Sequence, residues 1–150
     1  LYKYLEDKID NLKIYEGIDK VKNFNFDSIP DEQTLIIFDD MCIEKENDQK
    51  KICEMYIRGR KMAGGKGCSL IYLTQAYFMT PKIVRKQMTG LILRKINGKR
   101  DTSSILRECS IDATKEQLLH IYQACCNQDN ITDFLYIDLN APEEYRFRYK

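Results

Sequence analysis

A chain of 150 residues, 43% apolar and 31% charged with only three prolines, has the composition of a single globular α/β-sized domain rather than a disordered chain. No apolar run approaches the roughly 18 residues of a membrane span, and the charged opening "LYKYLEDKID" is unlike a signal peptide. Six cysteines without a CxxC pair and one histidine, His120, disfavour a zinc centre and fit free thiols in an intracellular reducing compartment.

In chain order, "LYKYLEDKIDNL" carries apolar residues at Leu1, Tyr4, Leu5, Ile9 and Leu12, close to a helical period, and "LKIYEG" reads as a short strand. A polar loop with Pro30 leads into "TLIIFDD", a continuous apolar run of the kind buried on both faces of a parallel sheet. "IEKENDQKKICEMYIRGR" reads as a helix that ends near Gly59, with Ile52, Met55 and Tyr56 on its apolar face. "MAGGKG" is a loop, "CSLIYLTQ" a second buried strand, and "PKIVRKQM" a short helix opened by Pro81. "TGLILRKI" reads as a third strand. "DTSSILREC" and "TKEQLLHIYQACC" read as helices, and "DFLYIDL" as a last strand before "YRFRYK". Strands that alternate with helices predict an α/β domain with a mainly parallel sheet flanked by helices and ligands at the carboxyl ends of its strands. Adjacent Cys125 and Cys126 fall in the second of these last helices, where packing and redox chemistry are both open.

The formal net charge of +1 hides an asymmetry. Residues 58–100 contain 11 Lys or Arg and no Asp or Glu, so this segment is +11 and the flanks together −10. Such a block is a candidate footprint for nucleotide phosphates or a nucleic-acid backbone, or else a solvated face that pairs with the acidic flanks.

Four bulky apolar residues followed by Asp39 and Asp40 form a Walker B pattern. In that pattern the first carboxylate holds Mg²⁺ and the second acts as general base or orients the attacking water. Aspartate also favours turns, so the octapeptide "TLIIFDDM" alone leaves both readings open. The second strand also ends in polar residues, Thr74 and Gln75, and a parallel pairing would bring them to the same crevice. A glutamine there offers a donor and an acceptor to a phosphate and a water, a sensor role, or it simply closes a loop. Arg58 and Arg60 end the intervening helix, where a planar guanidinium can reach a neighbouring subunit's phosphate or stay solvated. "GGKG" is not a phosphate-cradling loop: GxxxxGK[ST] requires Gly and Ser or Thr where Arg60 and Gly67 stand, and Gly98-Lys99 fails likewise at Leu93 and Arg100.

Together, "TLIIFDDM", "YIRGRK", "SLIYLTQAYFMTPKIVRKQ", "FLYIDL" and "YRFRYK" resemble the genome-packaging ATPases of large double-stranded DNA viruses and virophages, within the FtsK/HerA superfamily of P-loop motors. The resemblance implies part of a RecA-like P-loop core and an ATP-driven motor that packages double-stranded DNA into a capsid. It also implies ATP and Mg²⁺ as cofactors, a homo-oligomeric ring, and capsid or portal-vertex partners. The expected setting is the host cytoplasm, a viral factory or the virion. By position, Asp39 is similar to the Mg²⁺-associated acid, Asp40 to the catalytic acid and Gln75 to the sensor, with Thr74 beside the nucleotide. Arg60, Arg58 and Arg85 are candidate arginine fingers. Lys82, Lys86, Lys95, Lys99 and Arg100 are candidate DNA contacts without sequence readout. Tyr77 and Phe78 either touch nucleic acid or pack under the Pro81 helix.

The departure from this family is the absence of a Walker A loop from all 150 residues, with only 33 residues ahead of Thr34. The expectation is therefore a C-terminal portion, Walker B onward, with Walker A upstream, that binds ATP poorly alone and exposes apolar surface. The competing readings are a nucleic-acid-binding module that uses the basic 58–100 segment, and a non-catalytic ring subunit.

Overall fold

The computed structural model describes residues 2–96, 98–109, 114–126, 130 and 132–149, without the side chains of Lys99, Glu143 and Tyr149. The chain divides into two units, Leu1–Gln87 and Met88–Lys150, each with its own sheet.

In the first unit the two apolar runs become β1 (Thr34–Asp39) and β2 (Cys68–Leu73), paired parallel with Thr34 opposite Cys68 and Asp39 opposite Leu73. Parallel neighbours need a crossover, and α3 (Lys50–Arg58) supplies it. The period-2 alternation of a strand places Ile36, Phe38, Leu70 and Tyr72 on one side of the pair. There Phe38 lies buried, its ring centroid 6.3 Å from both Tyr56 and Tyr72, among Ile52 and Met55 of α3 and Val84 of α4 (Lys82–Gln87). Leu35, Ile37, Ile71 and Leu73 project from the other side and are exposed. The expectation of strands buried on both faces therefore holds for one face only.

Three further differences appear in this unit. The N-terminal helix, α1, spans only Tyr2–Glu6 and buries none of its residues, so no tertiary packing sustains the longer helix that the periodicity predicts. "LKIYEG" forms no strand. After it comes α2 (Ile18–Lys22), whose Ile18 and Val21 pack against the Phe38 core. The glycine-rich loop turns through Gly64 at φ 60°, where an added Cβ would stand 2.5 Å from the Asp31 carboxyl group.

In the second unit the sheet is antiparallel: β3 (Gly90–Leu93), β4 (Leu135–Asp138) and β5 (Phe147–Tyr149), in the order β3-β4-β5. The parallel arrangement expected of the whole chain is thus confined to β1 and β2. The third apolar run finds its partner beyond two intervening helices, α5 (Lys99–Cys109) and α6 (Lys115–Cys125). Gly90 permits that pairing, because a Cβ there would come within 2.8 Å of the Tyr136 ring. A capping box of Thr114 and Gln117 starts α6, and Leu106, Leu118, Leu135 and Ile137 are buried. The Tyr122 hydroxyl donates to the Arg94 carbonyl at 3.1 Å and accepts from the Ile96 N–H at 2.6 Å, which ties α6 to the end of β3. No disulfide joins the six cysteines, and no helix among the described residues is long and apolar enough to cross a membrane.

Candidate functional site

The parallel register sets the site. Because Asp39 lies opposite Leu73, both strands end at the same level, and the polar residues that follow them meet there. Asp40 leaves the strand in the left-handed region, φ 51° and ψ 28°, a conformation that aspartate tolerates better than most residues. Its N–H donates to the Leu73 carbonyl at 3.2 Å, and the Gln75 side-chain amide donates to its carboxylate at 3.4 Å. That contact is long for a hydrogen bond, and it joins residues 35 positions apart that the sequence alone paired only through an assumed parallel sheet.

Asp39 projects from the uncovered side of the sheet and accepts a hydrogen bond from the Tyr2 hydroxyl. That bond, with some burial and the charges of Asp39 and Asp40, holds the Tyr2 phenol above its ordinary pKa. Tyr2 was not legible as a site residue, because nothing local connects a side chain in α1 with one 37 residues later. Thr74 is turned to local work: its hydroxyl accepts from the Ala76 N–H at 3.0 Å and lies 3.2 Å from the Ala76 carbonyl, closing the turn after β2. Asp39 and Asp40, both exposed, offer carboxylate oxygens of the kind Mg²⁺ uses when waters and phosphates complete its octahedron. No group of three or more His, Cys, Asp or Glu side chains that could hold a metal occurs among the described residues.

The arginines occupy other places. Helix α3 starts near the carboxyl end of β1 and returns to the start of β2, where the Arg60 backbone packs 3.5–3.6 Å from the position a Cβ on Gly67 would take. Gly59, between them, packs against Leu70 and the Cys68 carbonyl, so Arg58 and Arg60 lie toward the opposite end of the strand pair from Asp40 of their own chain. Arg58 pairs with Glu54 at 2.7 Å and lies 4.8 Å from the Phe26 ring centroid, and this pairing lowers the Glu54 pKa. Arg60 is exposed. Arg85, half-buried on α4, donates to the Thr80 carbonyl at 3.2 Å and lies over Tyr77 and Phe78, at 5.3 and 5.6 Å. The two aromatic rings pack edge-to-face 5.2 Å apart. Lys82 and Lys86 are exposed on α4 of the first unit, whereas Lys95 and Arg100 are exposed in the second, with Lys99 at the start of α5.

In open α/β sheets ligands bind at the carboxyl ends of parallel strands, and that is the end where Asp39, Asp40 and Gln75 lie in this chain. Residues 5–141 match the family described as the Poxvirus A32 protein, and the chain belongs to that family, an ATPase-like family associated with viral genome packaging. No curated protein and no solved structure matches the chain.

Proposed function

We propose that this chain is the Walker B portion of an ATP-driven motor, of the FtsK/HerA type, that translocates double-stranded DNA into a viral capsid. The observation that carries the reading is the contact between Asp40 and Gln75 at the carboxyl ends of two parallel strands. In this reading Asp40 takes the proton of the attacking water or orients it, and Gln75 hydrogen-bonds that water and the terminal phosphate. Asp39 would hold Mg²⁺, which neutralises phosphate charge when bound. Tyr2 would first have to release Asp39.

The nucleotide's remaining contacts would come from a Walker A loop, a motif these 150 residues do not contain. The uncovered Leu35, Ile37, Ile71 and Leu73 support that reading, since strands of a P-loop core are buried on both faces. The distance of Arg58 and Arg60 from their own Asp40 supports a role on a neighbouring subunit's phosphate, hence a homo-oligomeric ring. Arg60 is the better placed, because Arg58 is already engaged by Glu54. Arg85 is held by Thr80 and two rings, which suits a bracing role more than a finger. Lys82, Lys86, Lys95, Lys99 and Arg100 would meet DNA phosphates, and capsid or portal-vertex proteins would anchor the ring.

The test is ATP hydrolysis by the complete protein. Asp40→Asn is expected to lower turnover about 10²–10⁴-fold with DNA binding retained. Unchanged turnover would remove Asp40 from the mechanism. The basic segment also favours a reading as a nucleic-acid-binding module without turnover. Five phosphate contacts would weaken DNA binding about 10²–10³-fold between roughly 50 and 200 mM salt, and a flat response would dismiss both DNA roles.

A further inference from the structure

The loop that follows Asp40 is fastened to β2 at both ends. At its start the Asp40 N–H meets the Leu73 carbonyl. At its far end stands Gln49, only 3% exposed. Its amide donates to the Glu44 carbonyl at 2.7 Å, and its side-chain carbonyl accepts from the Tyr72 hydroxyl at 2.9 Å. Residues 72–75 supply three ties, a hydroxyl to Gln49, a carbonyl to the Asp40 backbone and an amide to the Asp40 carboxylate, and Lys22 of α2 adds an ion pair with Asp48 at 2.8 Å.

Gln49 also precedes α3, but its side chain makes no capping bond there. Its backbone carbonyl accepts the Cys53 N–H at 3.0 Å, so the helix starts without help from the buried amide. A primary amide buried this deeply is costly unless its groups are bonded, and here both ends are spent on the loop and on β2. Asp40 meanwhile keeps a left-handed backbone, a less populated conformation even for aspartate, which the ties around it help to hold.

We propose that Gln49 and Tyr72 are positioning residues that close this loop and so hold Asp40 opposite Gln75. The proposal rests on the reading of Asp40 and Gln75 as the catalytic acid and sensor. Tyr72 suits the task because burial raises its phenol pKa, first among the causes, and it remains a donor across the working pH range. Neither residue touches the reacting atoms.

The side-chain amide resonances of Gln75, assigned by their loss in Gln75→Ala, report the contact with Asp40 in this chain without nucleotide. Tyr72→Phe leaves the Gln49 carbonyl buried without its donor. Gln49→Met combined with Tyr72→Phe removes both partners of that bond at similar volume and relieves that penalty, while the half-buried Glu44 carbonyl gives up its amide donor. The expected result is that Gln75 moves to the shift of an unbonded side-chain amide in both variants, while the melting temperature falls in the single variant and recovers in part in the double. In the complete ATPase, kcat is expected to fall about tenfold in both variants with KM changed less than about twofold. A Gln75 signal unchanged in both, or a kcat that recovers together with the melting temperature, overturns the proposal and leaves the bond a fold-stabilising one. A wild-type complete protein without turnover refutes the proposed function instead, and the Gln75 signal still decides the positioning role.

Discussion

Strands β1 and β4 are both short and apolar, yet they end in opposite situations. Leu135 and Ile137 of β4 are 0% exposed, flanked by β3 on one side and β5 on the other. Leu35 and Ile37 of β1 are 55% and 52% exposed, and among the described residues β1 has a partner strand on one edge only. The second unit spends its apolar residues on a closed core, with Tyr122 and Cys126 of the α6 end bonded to the Arg94 and Leu93 carbonyls. The first unit covers one face of its sheet and keeps polar groups at the strand ends. On the proposed function, stability and chemistry fall to different sheets, and substitutions should separate them.

The largest stability contrast pairs the two isoleucines. Ile137→Ala removes fully buried methylenes between two strands and is expected to cost about 2–5 kcal/mol. Ile37→Ala, on the uncovered face, is expected to cost less than about 1 kcal/mol and to reduce self-association at high concentration. Chemical denaturation of both variants measures the difference, and sedimentation measures the association. Equal costs would mean that something covers β1 in solution, and the contrast between the sheets would fail.

The parts legible in the sequence are those written locally. "TLIIFDDM" and "SLIYLTQ" are apolar runs punctuated by polar residues, and their parallel pairing follows from one helix between them. The approach of Gln75 to Asp40 follows from that pairing. The antiparallel sheet was not legible, because nothing near "TGLILRKI" says that its partner lies beyond two helices, where Gly90 pairs with Asp138. Helix α2 escaped because five residues give too little periodicity, and Ile18 and Val21 are fixed by the Phe38 core rather than by propensity. Tyr2 on Asp39 and Tyr72 on Gln49 are contacts across 37 and 23 residues, which no local pattern encodes.

A second pair of substitutions refines the contrast by backbone approach. Gly90→Ala presses a methyl group onto the Tyr136 ring, a rigid neighbour inside the antiparallel pair, and is expected to cost about 1–3 kcal/mol. Gly64→Ala meets the end of the exposed Asp31 side chain, which can swing away, so its cost is mainly the left-handed φ, about 1 kcal/mol. Thermal melting ranks the two. If Gly64→Ala proved the more damaging, the glycine-rich loop and not the second sheet would be the stiffer element.

The smallest effect expected is a pH dependence carried by α3. The Arg58 hydrogen bond at 2.7 Å, helped by Lys51 at 3.6 Å, holds the Glu54 carboxyl below its ordinary pKa, and both cations also lie over the Phe26 ring, at 4.8 and 3.9 Å. A depressed acid contributes stability that is fully present above its unfolded pKa, about 4.3, and is lost as pH falls through the lower folded value. Glu54→Gln should therefore lower stability slightly near neutral pH and flatten its decline on acidification below about pH 4. Because Glu54 is solvent-accessible, about 0.5 M salt should shrink the difference between variant and parent. Unfolding curves collected from about pH 3 to pH 7 at two salt concentrations read both effects. Parallel pH profiles would mean that Arg58 is not held by Glu54 in solution. Arg58 would then be as available as Arg60 to a neighbouring subunit, and the preference for Arg60 as the residue acting in trans would lose its basis.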